Sequence, residues 1–286
     1  MARILIVGIG DVGGHLGQML AHAGHDVVGI RRSDQPLEGI EVLSADVSEP
    51  ETLEPLAAQA PFDILVYCVA SPVFSKEGYH DFYVRGLNHV LTVVGQQAQL
   101  PQHAFFVSSS SVYHQKEGEW VDESSATEPR TFSGKEMLAA EQVLLNSAIP
   151  GTVVRFTGIY GPGRNRLIEQ ARHGGHCDPE PPVWTNRIHR DDCVGVLAFL
   201  IQRALSNESL DDIYLATDNE PTTLFDVLEW LKDRIGDVEP DADVPEVTRR
   251  ANRRCSNARL KAVGYPFKYS DYQTGYDEIL TDMGLI

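Results

Sequence analysis

What most restricts the fold of this chain is a rhythm. Short β-branched runs alternate with longer stretches of helical pattern: ARILIVG (2–8), a helix from about Val12 to Ala23, DVVGI (26–30), then IEVLSAD (40–46). A helix near 50–60, FDILVYCVA (62–70), a helix near 78–99 and HAFFVSSSSVY (103–113) continue it. A helix opening at TFSGKEMLAAEQ (131–142) and GTVVRFTGIYG (151–161) follow. Such alternation predicts an α/β fold, a doubly wound parallel sheet with right-handed crossovers. At the opening of the 131–142 stretch, Ser133 is the expected cap, with Glu136 three residues on.

After Gly161 the rhythm breaks. GPGRNRLIEQARHGGHCDPEPPVW holds enough Gly and Pro for loops around one short helix, so a smaller lobe begins here. A helix from about Asp191 to Leu205 and the strand IYLAT (213–217) return to the large sheet. The expected division is 1–161 plus 190–219 in the large domain and 162–189 plus 220–286 in a smaller, mostly C-terminal lobe. A length of 286 residues suits one large core with such an addition.

Composition removes several function classes. With 24 basic against 41 acidic side chains the net charge is −17, which disfavours nucleic acid or an anionic membrane as a general partner. No apolar run approaches the roughly 20 residues that cross a bilayer. ILIVGIG is too short for a secretory signal and reads as a buried strand. Four cysteines without a CxxC pair or a Cys/His cluster suggest neither a disulfide framework nor a metal site, and a cytoplasmic location fits. Against the acidic background RRANRR (249–254) stands out, either as a grip for an anionic substrate or as an exposed turn balanced by the acids of DVEPDADVPE. Arg164, Arg166 and Arg187 are weaker candidates for the same duty.

GIGDVG (8–13) matches GxGxxG directly after a strand and at the start of a helix. In that context Gly8 makes the tight turn, Gly10 admits a pyrophosphate to the backbone, and Gly13 lets helix and sheet pack closely. Asp11 and Val12 open the helix whose N-terminus faces the phosphates. The second strand ends in GIRRSD, where an acidic residue ordinarily binds the ribose of NAD; Arg31 and Arg32 stand there instead. Guanidinium groups suit a 2′-phosphate, so NADP is favoured and NAD remains open. The alternative is a pair of solvated surface arginines.

These motifs, with SADVSEP, VYCVAS, VSSSSVY, RFTGIYGPG, NRIHRDDCVGVL and ARLKAVGYPFKYS, stand in an order that resembles the extended short-chain dehydrogenase/reductase superfamily. Within it the likeness is to the NAD-dependent epimerase/dehydratase group, and it covers nearly the whole chain. The resemblance implies a Rossmann-type sheet, Asp46 and Val47 beside the adenine, and Cys68, Val69 and Ala70 along the cofactor. It also implies that the Ser109 hydroxyl holds the substrate, and that a homodimer forms through the helices near 78–99 and 133–147. The family's catalytic Tyr and Lys come from a YxxxK motif, and aligning LAAEQ (138–142) with its continuation puts Ser133 and Met137 at those positions. Neither catalytic residue is present. Proton transfer then needs another donor, and the candidates are Tyr113, His114, Tyr160 and His189. Two further departures, Gly158 and Tyr83 where nucleotide-sugar enzymes often carry Asn, weaken that substrate class. The resemblance implies an NAD(P)-dependent oxidoreductase, epimerase or dehydratase acting on a small polar, anionic or nucleotide-sugar-like molecule. A catalytically inactive NADP(H)-binding sensor is the alternative, and a purely structural interaction protein is a third.

Overall fold

The computed structural model describes residues 1–236 and 251–286. Seven strands form one sheet: β1 Arg3–Val7, β2 Asp26–Arg31, β3 Glu41–Ser44, β4 Ile64–Tyr67, β5 His103–Ser109, β6 Gly151–Phe156 and β7 Ile213–Ala216. Their spatial order is β7-β6-β5-β4-β1-β2-β3, with β1 the point at which the winding reverses. Ile4–Val7 of β1 align in parallel with Val27–Ile30 on one side and with Ile64–Tyr67 on the other. All eight of the flanking aliphatic positions Ile4, Leu5, Ile6, Val7, Val27, Val28, Ile64 and Leu65 are at most 2% exposed, so these strands are covered on both faces. Burial of such a side chain contributes roughly 1.5–3 kcal/mol, which is why the unbroken apolar runs become the centre of the sheet. The Rossmann-type expectation holds.

The helices between strands follow the sequence pattern within a residue or two at most ends. Asp11–His22 follows β1, Phe132–Leu145 precedes β6 and Arg190–Leu205 precedes β7. The long helix expected near 78–99 is composite: an α-helical turn Lys76–Tyr79, a π-helical turn His80–Arg85, and α-helix Gly86–Val94. One expected feature is corrected. Thr131, not Ser133, is the cap of Phe132–Leu145, its hydroxyl accepting the Gly134 N–H at 3.2 Å. Ser133 lies inside the first turn and Glu136 pairs with His80 at 2.9 Å, so no capping box forms.

The chain divides into two compact units. One comprises Met1–Tyr113, Thr127–Arg155 and Val194–Tyr214; the other comprises His114–Ala126, Phe156–Cys193 and Leu215–Ile286. The division from sequence left 114–126 with the large domain. Its inclusion in the second unit has a local cause, since Glu119–Val121 pairs in parallel with Arg253–Cys255. That unit also holds the pairs Gly158–Tyr160 with Arg187–His189 and Trp184–Thr185 with Thr222–Thr223. Its core is aromatic and aliphatic, with Tyr160, Leu167, Ile168, Leu228, Tyr272 and Tyr276 buried together.

Candidate functional site

The glycine turn is held from below and open above. Gly8 has φ +95°, a conformation that side-chained residues rarely adopt, and a Cβ there would stand 2.6 Å from the Cys68 carbonyl oxygen. A Cβ on Gly13 would stand 2.2 Å from the Gly8 carbonyl oxygen, so the helix start and the turn are in direct backbone contact. The N–H groups of Gly8 and Ile9 both donate to the Ile30 carbonyl, at 2.9 and 3.2 Å, which ties the turn to the end of β2. By contrast Gly10 is exposed, with no heavy atom within 4 Å of a Cβ position. Among the described residues no side chain caps the helix Asp11–His22 that follows. Asp11 is exposed in its first turn and Val12 is buried beneath it. Open space beside a backbone turn, at a helix N-terminus that no side chain caps, fits a pyrophosphate.

The other cofactor candidates lie along the same ends of the first unit's strands. Arg31 is the last residue of β2 and half-buried, and Arg32 is exposed with its guanidinium 5.9 Å from the Phe82 ring. Asp46 follows β3, and one of its carboxylate oxygens accepts from the Ser48 N–H at 2.9 Å and the Ser48 hydroxyl at 2.6 Å. Val47 is 5% exposed, and its carbonyl meets His89 Nδ1 at 2.9 Å. Cys68 continues from β4, its N–H donating to the Val7 carbonyl at 2.8 Å. Val69 is half-buried and Ala70 exposed.

At the end of β5 the residues expected to do chemistry separate. Ser109 is half-buried and its hydroxyl oxygen accepts the Ser111 N–H at 3.1 Å. Ser133 is half-buried, with its hydroxyl 3.1 Å from that of Thr131, while Met137 is 4% exposed and Lys135 faces solvent. Among the described residues the partner of Ser133 Oγ is a hydroxyl, not a cation. Tyr113 is 2% exposed, and its oxygen accepts from Arg155 Nη1 at 3.0 Å. This arginine belongs to a network that sequence reasoning missed. Arg155 Nε and Nη2 donate to the two oxygens of Glu141 at 2.9 and 2.6 Å, and the Ser108 hydroxyl donates to Glu141 at 2.6 Å. Burial alone would lower the Arg155 pKa, but hydrogen bonding to Glu141 and its charge prevail and raise it. Tyr113 therefore accepts a hydrogen bond from one member of a buried ion pair, Arg155–Glu141. A signal was present: Arg155 interrupts an apolar strand, and a charge there requires a buried partner.

The remaining candidates sit in the second unit. Tyr160 is 4% exposed and donates to the Asp271 carbonyl at 3.4 Å, with burial raising its pKa. His189 is buried, its Nδ1 accepts the Asp191 N–H at 3.1 Å, and burial lowers its pKa. His114 is half-buried with Nδ1 unpartnered. Of RRANRR, Arg249 and Arg250 lie outside the described residues. Arg253 is 7% exposed, and the Arg254 guanidinium lies 5.2 and 4.9 Å from the rings of Trp120 and Trp184 while donating to the Gly118 carbonyl at 2.8 Å. Arg254 is thus a stacked structural cation and neither Arg253 nor Arg254 is an exposed turn residue, while the acids of DVEPDADVPE lie outside the described residues. Arg164 and Arg166 are exposed, and Arg187 is buried.

With this geometry defined, comparison with known proteins gives consistent results. The family model for the NAD-dependent epimerase/dehydratase family matches residues 4–213. A solved protein of Methylobacillus flagellatus, provisionally described as an NAD-dependent epimerase/dehydratase, is 43% identical over 99% of both chains, with a TM-score of 0.84. The Bacillus cereus UDP-N-acetylglucosamine 4-epimerase shares the fold at 17% identity and TM-score 0.78, covering 99% of each chain. So does the Bordetella bronchiseptica enzyme WbmG, solved with NAD, at 17% identity and TM-score 0.79 over 99% of this chain and 95% of that one. No curated protein matches. The glycine turn, the strand order and these likenesses agree, and the chain belongs to the NAD-dependent epimerase/dehydratase family.

Proposed function

We propose that this chain is an oxidoreductase or epimerase/dehydratase-like enzyme that prefers NADP to NAD and acts on a small polar, anionic or nucleotide-sugar-like substrate. The observation that carries the cofactor choice is the pair at the end of β2. Neither Arg31 nor Arg32 enters an ion pair among the described residues, and the side-chain hydrogen bond of Arg31 to Gln35 is a long 3.5 Å. Guanidinium forks at this point suit a 2′-phosphate, whereas a carboxylate would suit a free 2′-hydroxyl. The nicotinamide, when bound, supplies the hydride chemistry. The turn Gly8–Gly13 holds the pyrophosphate, Asp46 and Val47 flank the adenine, and Cys68, Val69 and Ala70 line the cofactor. Ser109 orients the reacting oxygen of the substrate.

Calorimetric titration tests the preference. NADPH is expected to bind at least about tenfold more tightly than NADH, roughly 1.4 kcal/mol, and Arg31→Ala with Arg32→Ala should erase the difference. NADH binding as tightly as NADPH to the unaltered protein would remove the NADP assignment. A second reading, a cofactor sensor without chemistry, draws support from Ser133 and Met137. Oxidation of NADPH across a panel of carbonyl compounds and nucleotide sugars separates the two, because a sensor binds cofactor and turns nothing over.

A further inference from the structure

We propose that Tyr83 supplies the proton-donating phenol that helix Phe132–Leu145 lacks. The inference rests on the cofactor-dependent reading above and names the proton donor within it. Tyr83 belongs to the π-helical turn His80–Arg85, and such turns inside α-helices are frequent at functional positions. Local packing holds the turn against β4. The Tyr67 hydroxyl donates to the Phe82 carbonyl, and a Cβ on Gly86 would meet Tyr67 Oη at 2.6 Å and Val47 Cγ2 at 2.8 Å.

This arrangement brings the Tyr83 phenol to the loop after β4. Its oxygen accepts the Ser71 N–H at 3.3 Å, three residues beyond Cys68, whose backbone abuts Gly8. The Tyr83 ring lies 5.0 Å from Tyr79, and Tyr79 lies 5.5 Å from Phe132, the residue before Ser133. A phenol on the neighbouring helix is thus linked through the Tyr79 ring to Phe132, the residue before the place where the family's tyrosine would stand. Exposed Phe74 joins that wall, 5.1 Å from Phe132 and 5.6 Å from Tyr79. Tyr83 is an acceptor in its hydrogen bond with Ser71, and no residue among those described accepts its proton.

Burial raises the Tyr83 pKa, the Ser71 N–H works in the opposite direction, and Tyr79 and Cys68 are the ionisable neighbours that add to the rise. The group therefore carries its proton at neutral pH. In the step proposed, the Tyr83 O–H bond breaks and the proton bonds to the substrate oxygen. The electron pair stays on the phenolate oxygen beside the Ser71 N–H, and water returns the proton.

Tyr83→Phe keeps the ring and removes the hydroxyl, with Tyr79→Phe as the control and circular dichroism reporting the fold. Ultraviolet difference titration of tyrosinate, with and without NADPH, should reveal a tyrosine whose ionisation moves on cofactor binding. That transition should be missing in Tyr83→Phe and retained in Tyr79→Phe. Turnover on the carbonyl panel should fall by ~10²–10⁴ in Tyr83→Phe, with NADPH affinity preserved. A cofactor-linked transition that survives Tyr83→Phe, or one absent from the unaltered protein that binds NADPH, overturns the assignment and leaves the cofactor reading standing. Absence of NADPH and NADH binding to the unaltered protein overturns both.

Discussion

Two buried arginines, one in each compact unit, solve the same problem in opposite ways. Arg155 is 2% exposed and spends three nitrogens on Glu141 and Tyr113, with Ser108 completing the carboxylate. Arg187 is 5% exposed and donates from Nη2 to Thr185 at 2.8 Å, but Nη1 has no hydrogen-bond partner among the described residues. Asp218 in the same unit is 2% exposed, and among the described residues its Oδ2 has no hydrogen-bond partner. Burial pushes its carboxyl up to about 8, with the Arg187 charge pulling the other way. The first arrangement is a closed network in which every member depends on the others. The second leaves a buried acid whose charge folding opposes. Buried charge is therefore informative only after its partners are counted.

The largest effect should come from breaking the closed network. Glu141→Ala leaves the Arg155 guanidinium buried without its counter-charge, and a loss of about 3–5 kcal/mol in denaturant unfolding is expected. A loss under about 1 kcal/mol would mean that the network relaxes into water and that the contrast with Arg187 is overstated. Asp218→Asn should act next, and its sign depends on pH. The folded-state pKa of about 8 lies above the ordinary 3.8, so folding favours the protonated form. The stabilisation is complete below about pH 4 and is lost as pH rises through about 8. Stability of the unaltered protein should fall across that window by several kcal/mol, at most about 6, and Asp218→Asn should remove most of that fall. Parallel stability curves for the two proteins would show that Asp218 finds a partner when ionised. Smallest is a polar group in water. Thr131→Ala should lower stability by about 1 kcal/mol through loss of the helix cap, while Ser133→Ala should leave thermal unfolding nearly unchanged. Equal losses from the two would return Ser133 to the capping role.

Elements with a local period were legible in the sequence. Unbroken aliphatic runs gave β1, β2 and β4, and the glycine turn appeared where a strand meets a helix because its backbone contacts join residues five apart, Gly8 and Gly13. What escaped was decided at long range. Thr131 and Ser133 are both hydroxyl residues able to cap a helix, and the start is set by Gly134, whose missing side chain lets it approach the Ser111 carbonyl, 2.4 Å from a Cβ position. Glu141 looks like a solvent-facing charge until Arg155 arrives from β6. Arg254 looks like part of a basic patch until Trp120 and Trp184 enclose it. The family's motif frame was readable, and aligning LAAEQ to it puts Ser133 and Met137 where a Tyr and a Lys are expected. Where a substitute phenol stands depends on the π-helical turn, which no local pattern announced.

That turn has a consequence for how this chain can vary. An extra residue in one turn of a 3.6-residue helix rotates everything on one side by about 100° relative to the other. The helix after Gly86 keeps Leu87, Val90, Leu91 and Val94 on the buried side while the residues before it are free to present a different face. Removing Val84 or Arg85 would leave the packed half in phase and turn the Tyr79 and Tyr83 rings away from Ser71 and Phe132. A one-residue deletion could thus retune the aromatic wall while the sheet beneath it keeps its register.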